Sequence, residues 1–139
     1  MILLDTNVVS ELMKDSLPAA VEAWVRARKP DELFTTSVTL AEVLYGIERL
    51  PNGRRKDQLR GRASAIFETF RDQVLSFDGG AAVVYPSIVD GRDRGGRPID
   101  GFDAQIASIC RSHDATLATR NVRDFEHTGV EVVDPWREG

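Results

Sequence analysis

The sequence predicts an α/β fold, a parallel sheet of about five strands packed between helical layers. Three observations predict it. Short apolar runs without polar alternation, such as Ile2-Leu3-Leu4, read as strands buried on both faces, the habit of parallel sheets. Between them lie segments whose apolar residues recur at helical spacing. No repeat, low-complexity tract or linker interrupts the alternation, so residues 1–139 read as one βα-alternating domain.

The first run ends at Asp5-Thr6-Asn7, three residues that bond local backbone and suit a strand end followed by a helix start. Val8, Val9 and Leu12 begin that helix. Pro18 suits the first turn of a second helix, along which Val21, Trp24, Val25 and Arg28 recur. Leu33-Phe34-Thr35-Thr36 is the second strand, with Ser37 the expected cap of a helix over 38–50 that Pro51-Asn52-Gly53 stops. Leu59, Ala63, Ile66, Phe67, Phe70 and Val74 predict a longer helix over 56–75. The third strand follows at Val74-Leu75-Ser76-Phe77-Asp78, ended by Gly79-Gly80. A helix from Ala81 toward Asp90 meets Pro86, which is expected to kink it or limit it to short pieces. Residues 91–98, GRDRGGRP, read as a loop. Phe102, Ile106, Ile109 and Cys110 mark the last helix. Thr116-Leu117-Ala118-Thr119 and Val130-Glu131-Val132-Val133 are the fourth and fifth strands.

A hydrophobic fraction of 42% in 139 residues supplies an ordinary core and excludes disorder. With 18 basic against 22 acidic residues the net charge is −4, so the chain as a whole is not a basic nucleic-acid binder. One cysteine, Cys110, excludes a disulfide framework and a Cys-rich zinc site. No apolar run reaches the ~18–20 residues of a membrane span, and Met1-Ile2-Leu3-Leu4-Asp5 lacks a basic leader. A cytoplasmic protein without a membrane partner is expected.

In an open parallel sheet, chemistry collects where the carboxyl ends of the strands meet. Asp5 follows the first strand, Glu42 sits in the helix after the second, and Asp103 opens the helix after the glycine-rich loop. Asn121 and Asp124 follow the fourth strand. Each has an ordinary explanation: Asp5 and Asp100 as helix caps, Asp103 as a first-turn acid favoured by the helix dipole, Asp124 as a surface turn residue. The pattern around Glu42 suits a solvated side chain as well as one bordering a buried stripe. The coincidence is what carries chemistry. Three carboxylates about 5 Å apart repel by about 3 kcal/mol per pair at an effective dielectric near 20. The only lysines, Lys14, Lys29 and Lys56, lie away from the strand ends, and only Arg120 and Arg123 are placed to pair with an acid. A hard divalent cation, magnesium or manganese, answers such an oxygen-rich cluster.

Five segments, Ile2-Leu3-Leu4-Asp5-Thr6-Asn7, Ala41-Glu42-Val43 followed by Gly46, Phe102-Asp103-Ala104-Gln105-Ile106-Ala107, Ala118-Thr119-Arg120-Asn121-Val122-Arg123-Asp124-Phe125 and Val133-Asp134-Pro135-Trp136, resemble the PIN-domain family. The likeness is to its VapC/FitB-type members, the toxins of type II toxin–antitoxin pairs, and it runs over essentially the whole chain. It implies a three-layer Rossmann-like domain and an Mg2+- or Mn2+-dependent ribonuclease. Asp5, Glu42 and Asp103 match the family's acidic metal positions, and Thr6 and Thr119 match supporting hydroxyl residues. The fourth acidic position falls on Asn121, which offers an oxygen without charge; Asp124, three residues on, is the alternative. The resemblance also implies a cognate antitoxin, operator DNA contacted only through that antitoxin, and a homodimer or toxin–antitoxin hetero-oligomer.

The reaction so implied is hydrolysis of RNA phosphodiester bonds, with Asp5 and Asp103 as direct ligands and Glu42 holding or deprotonating water. His113 and His127 read as surface or helix-end residues, and Cys110 as a core thiol. Two basic stretches, one formed by Arg49, Arg54, Arg55, Lys56, Arg60 and Arg62 and one by Arg92, Arg94 and Arg97, are either solvated faces or phosphate contacts. Helices over 19–28 and 38–50, with Trp24, Leu44 and Tyr45, are either core or part of an antitoxin-docking surface. Two rivals remain. A receiver-like phosphoacceptor would need a lysine at a late strand end, where Thr119-Arg120 supplies none. A catalytically weak or silent PIN-like module that binds only antitoxin or RNA is kept open by Asn121.

Overall fold

The computed structural model describes residues 1–137. β1 (Ile2–Leu4) leads into α1 (Thr6–Leu12) and α2 (Ala19–Arg26), then β2 (Leu33–Thr36), α3 (Ser37–Glu48) and α4 (Arg54–Thr69). The chain continues through β3 (Val74–Leu75), α5 (Gly79–Arg94), α6 (Gly101–Ser112), β4 (Thr116–Ala118) and β5 (Glu131–Val133). All strand pairings are parallel, and the order across the sheet is β3-β2-β1-β4-β5. The chain thus builds outward from β1 in one direction and then crosses to its other side. The reversal falls between β1 and β4, the place where the loops of a doubly wound sheet part and leave a crevice.

Alternate residues of each short strand feed two cores. Leu3 and Leu117 face a cluster containing Ala81 and Ile88 of α5 with Ile106 and Ile109 of α6, joined by Phe34, Leu75 and Val132. Leu4, Leu33 and Ala118 face the other, which holds Val8 and Val9 of α1, Trp24 of α2, Val43 and Ile47 of α3, and Ala63 of α4. Both faces of the sheet are covered, giving the three layers expected. Because each face needs apolar side chains, the strands are apolar throughout rather than alternating. Complete burial of Leu3 and of Leu4 stabilises by about 2 kcal/mol each.

Several boundaries differ from expectation. Thr36, not Ser37, caps α3: its backbone stays extended and its hydroxyl accepts the Thr39 N–H at 3.0 Å, leaving Ser37 as the first helical residue. Pro18 occupies the cap position of α2 rather than its first turn. The long helix ends at Thr69 instead of reaching 75. A 3₁₀ turn follows at Arg71–Gln73, where the Gln73 amide donates to the Pro30 and Leu33 carbonyls and fastens β3 beside β2.

Pro86 does not fragment its helix. α5 runs unbroken for 16 residues, and its contact with α6, the most extensive of any pair of elements, outweighs one missing backbone donor. The loop expected over 91–98 starts only after Arg94. Arg92 is buried and donates to the carbonyls of Arg97, Asp124 and Glu126, which holds the last turn of α5 in place. Trp24 is core, whereas Leu44 and Tyr45 lie 43% and 63% exposed on α3. Among the described residues no helix is long and apolar enough to cross a membrane.

Candidate acidic site at the carboxyl end of the sheet

Asp5 stands at the reversal point. Its backbone N–H continues the sheet to the Ala118 carbonyl at 2.9 Å, and its side chain caps α1 by accepting the Thr6 N–H at Oδ1, 2.8 Å away. Oδ2 accepts the Thr119 hydroxyl at 2.7 Å and the Asn7 amide at 3.4 Å. Asp5 is 4% exposed, and burial raises its carboxyl above the ordinary value despite the bonds from Thr119 and Thr6.

Glu42 lies in the second turn of α3, half-buried, with Oε1 accepting the Thr6 hydroxyl at 2.8 Å. The pattern that left its exposure open is resolved by that bond. Glu42 borders two cavities of about 530 and 540 Å³, so it faces an opening rather than the core. Burial raises its carboxyl, and the charges of Asp5 and Asp100 add to the rise.

Asp103 occupies the first turn of α6, behind the cap residue Asp100, whose Oδ2 accepts the Phe102 and Asp103 N–H groups. A first-turn carboxylate is ordinarily favoured as the anion. Here the Asp103 carboxyl is pushed up to about 7, by burial first and then by the charges of Asp5, Asp100, Asp124 and Glu42. Five acids from four separate stretches of chain therefore share one field. Among the described residues none of these five enters an ion pair. Nor do any three His, Cys, Asp or Glu side chains among them already close around a point that could hold a metal ion. The acids act on one another through space, without a finished coordination shell.

Of the supporting residues, Thr6 and Thr119 each bridge into the cluster, Thr6 to Glu42 and Thr119 to Asp5. Asn121 enters through its backbone, its N–H donating to the Thr119 hydroxyl at 3.1 Å. Asp124 sits on a 3₁₀ turn, Val122–Phe125, and reaches the cluster by its charge. Two residues that the sequence placed only as local caps or turn residues also take part in the site. Asp100 is a cap that also adds negative charge to Glu42 and Asp103. Asn7 donates to Thr119 Oγ1 at 3.1 Å and accepts the Arg120 N–H at 3.1 Å, a tie across 113 positions that no local pattern announces.

The expected pairing of Arg120 or Arg123 with an acid does not occur among the described residues; Arg120 instead lies over the Trp136 ring at 5.1 Å. The two basic stretches are mostly engaged internally. Lys56 is buried on the Glu48 carbonyl and Asn52, Arg60 pairs with Glu48, and Arg62 with Asp15. Arg92 is buried, Arg94 pairs with Asp90, and Arg97 with Glu126. Cys110 is buried with its thiol raised by desolvation, as a core thiol should be.

Known proteins are similar to this chain over nearly its whole length. VapC ribonuclease Y4jK of Sinorhizobium fredii is 33% identical over 98% of this chain and 98% of its own length. Toxin FitB of Neisseria gonorrhoeae is 33% identical over 99% of this chain and 100% of its own. The solved FitAB complex bound to the IR36 DNA fragment superimposes with a TM-score of 0.91 at 34% identity, covering 98% of this chain and 96% of that one. The sequence model of the PIN domain matches residues 2–131. On fold, on the order of its acidic segments and on this match, the chain belongs to the PIN domain family.

Proposed function

We propose that this chain is a divalent-metal-dependent ribonuclease that hydrolyses RNA phosphodiester bonds and acts as the toxin of a toxin–antitoxin pair. The observation that carries the reading is the un-neutralised cluster: Asp5, Glu42 and Asp103, all with raised carboxyl pKa values, lie in one another's field, and none has an ion-pair partner among the described residues. Its donors are all oxygen, which suits Mg2+ or Mn2+ rather than a softer ion. Asp5 and Asp103 are the residues to hold the ion, with Asp124 or the Asn121 amide at the fourth position. When bound, a divalent ion offsets the charge that builds on the phosphate during attack.

The chain's own groups do the rest. Thr119 and the Thr6 N–H fix both Asp5 oxygens, so the carboxylate is oriented before substrate arrives. Glu42, held by Thr6 and open to a cavity, accepts the proton of the attacking water; its raised pKa makes it a better base than an ordinary carboxylate. The water oxygen forms the new bond to phosphorus as the bond to the leaving oxygen breaks; the water's proton ends on Glu42, and the leaving oxygen takes a proton from solvent.

The toxin reading is supported by the relatives named as a VapC ribonuclease and as toxin FitB. FitB's solved complex with FitA on DNA supports a cognate antitoxin that carries the operator contact. A second reading, a silent module that binds only antitoxin or RNA, is favoured by Asn121 at the fourth position and by the unclosed cluster.

The purified, antitoxin-free chain and its Asp5→Asn variant, incubated with total RNA with Mg2+ or EDTA, separate the two. Cleavage by the wild type in Mg2+ alone, lost in the variant while the fold persists, is expected. Cleavage that ignores EDTA or the substitution overturns the mechanism, and no cleavage by the wild type leaves the silent module.

A further inference from the structure

Beside the acids, toward β5, lies a cleft of about 570 Å³ whose walls carry Arg120, Arg123, Arg137, Asn121, Asp124 and Asp134. We propose that this cleft is a phosphate subsite for single-stranded RNA, holding the phosphodiester next to the one presented to the acids, with Arg120 and Arg123 as its positioning residues. The proposal rests on the ribonuclease reading and adds to it how the strand is registered.

Charge is the first argument. Asp134 is occupied: Oδ1 accepts the Trp136 N–H at 2.9 Å, and Arg137 Nε lies 3.7 Å from Oδ2, so those two charges offset one another. Asp124 belongs to the field of Asp5 and Asp103. What the cleft presents to a ligand is therefore Arg120 and Arg123, neither in an ion pair among the described residues, against the one carboxylate of Asp124, so that positive charge is in excess there. Of the basic stretches that the sequence offered for RNA, Lys56 and Arg92 are buried and Arg60, Arg62, Arg94 and Arg97 are paired with acids, whereas this cleft adjoins Asp124 and the end of β4 with two unpaired arginines.

Arg120 is also held in position. Its guanidinium lies over the ring of Trp136, which packs against the core, and a stacked guanidinium keeps its in-plane N–H donors free for phosphate oxygens. Stacking also explains why Arg120 does not swing onto the neighbouring acids. The floor of the cleft is registered to the cluster through two hydrogen bonds, Asn121 N–H to Thr119 Oγ1 at 3.1 Å and Thr119 Oγ1 to Asp5 Oδ2 at 2.7 Å. The Arg120 N–H on Asn7 Oδ1 adds a third tie. A repelling cluster beside an attracting cleft suits a polyanion that must surrender one phosphate to chemistry and anchor the next. An acidic peptide has no reason to approach those acids.

Binding of a mixed-sequence single-stranded RNA oligonucleotide to the full chain in EDTA, across a salt series, tests this. Arg123→Ala removes a side chain with no hydrogen bond or ion pair among the described residues, so its fold is retained; Arg120→Ala, Arg120→Lys and the double alanine variant complete the set, with Arg71→Ala as control. Each alanine substitution is expected to weaken binding about 10-fold and the pair to lower the slope of log affinity on log salt by about 0.7, one phosphate's share on a single strand. Arg120→Lys should recover the slope but not the full affinity. In Mg2+ the same variants should raise KM more than they lower kcat. Unchanged affinity and slope in a chain that binds and cleaves RNA overturns the subsite and leaves the ribonuclease reading intact. A wild type that neither binds nor cleaves RNA removes both. Loss of binding to an oligoglutamate peptide, with RNA binding untouched, assigns the cleft to a protein partner and also overturns the proposal.

Discussion

The Thr119 hydroxyl donates to Asp5 Oδ2 at 2.7 Å across 114 positions of sequence, joining the ends of the two strands between which the sheet reverses. The same oxygen accepts from Asn7 Nδ2 and from the Asn121 N–H, each at 3.1 Å. One fully buried atom thus ties β1, the start of α1 and the chain after β4 to the central acid of the site.

Thr119→Val keeps the shape and deletes that atom. Asp5 then loses a buried donor, while the half-buried Asn7 and the exposed Asn121 lose an acceptor. A destabilisation of about 1–3 kcal/mol is expected, with activity down about 10–100-fold. Thr119→Ser should restore most of both. Denaturant melts and RNA cleavage assays check it, and a valine variant as active as the wild type removes Thr119 from the orienting role.

Asp5→Asn should separate stability from activity. The carboxylate is buried among like charges, so a neutral side chain of the same shape relieves repulsion; the amide oxygen still accepts the Thr6 N–H, and that relief offsets the acceptor lost to the Thr119 hydroxyl, whose oxygen already accepts from Asn7 and Asn121. In EDTA near neutral pH the variant should melt no lower than the wild type, while Mg2+-dependent cleavage falls more than about 100-fold. A variant that is inactive because it unfolds would place Asp5 among structural residues instead.

Much of this arrangement is legible in the sequence because two strong signals coincide. Apolar strands with no polar face betray a covered sheet, and the acids after β1 and β4, on α3 and opening α6, fall where such a sheet gathers its loops. Local chemistry is visible at that level: Asp5 as a cap, Asp100 as a cap, Cys110 as core. What stays hidden is set by tertiary contact. Pro86 reads as a break because sequence shows the lost donor but not the packing of α5 on α6. Arg92 sits in a string of glycines and charges that looks like loop, and only the three carbonyls it finds make that turn helical. Asn7 carries no periodic or capping signal for partners more than a hundred residues away, and nothing local to Arg120 points to a ring 16 positions on, so neither the tie of Asn7 to Thr119 nor the stacking of Arg120 on Trp136 is readable beforehand.

The raised carboxyls fix how stability depends on pH. Asp103 goes from an ordinary value near 3.8 to about 7 in the folded chain, and Asp5 and Glu42 shift the same way. The folded state keeps protons that the unfolded chain has released, so the contribution is full below about pH 4 and lost as pH climbs through about 7. In EDTA the melting temperature of Asp103→Asn should therefore overtake that of the wild type between about pH 5 and pH 8. Millimolar Mg2+ should close the gap at pH 8, where Asp103 is ionised, and do little at pH 5. A gap that narrows with rising pH in EDTA contradicts the cluster's mutual repulsion.

Arg92 offers a test of how the far side of the site is held. Its guanidinium reaches the carbonyls of Arg97 at 2.6 Å, Asp124 at 2.8 Å and Glu126 at 3.0 Å, spanning from α5 to the 3₁₀ turn that carries Asp124 and follows Asn121. Hydrogen bonds from a charged donor stabilise by about 1.5–3 kcal/mol each in favourable cases, partly offset here by the cost of burying the charge. Arg92→Met preserves the apolar stem and leaves three carbonyls without their partner, so a loss of about 2–4 kcal/mol is expected. Amide exchange should rise most over residues 122–127, because that segment loses two of its anchors, whereas β1 and α1 should keep their protection relative to the global opening. Uniform exchange across the chain would mean that Arg92 serves overall stability and not the placement of the Asp124 turn.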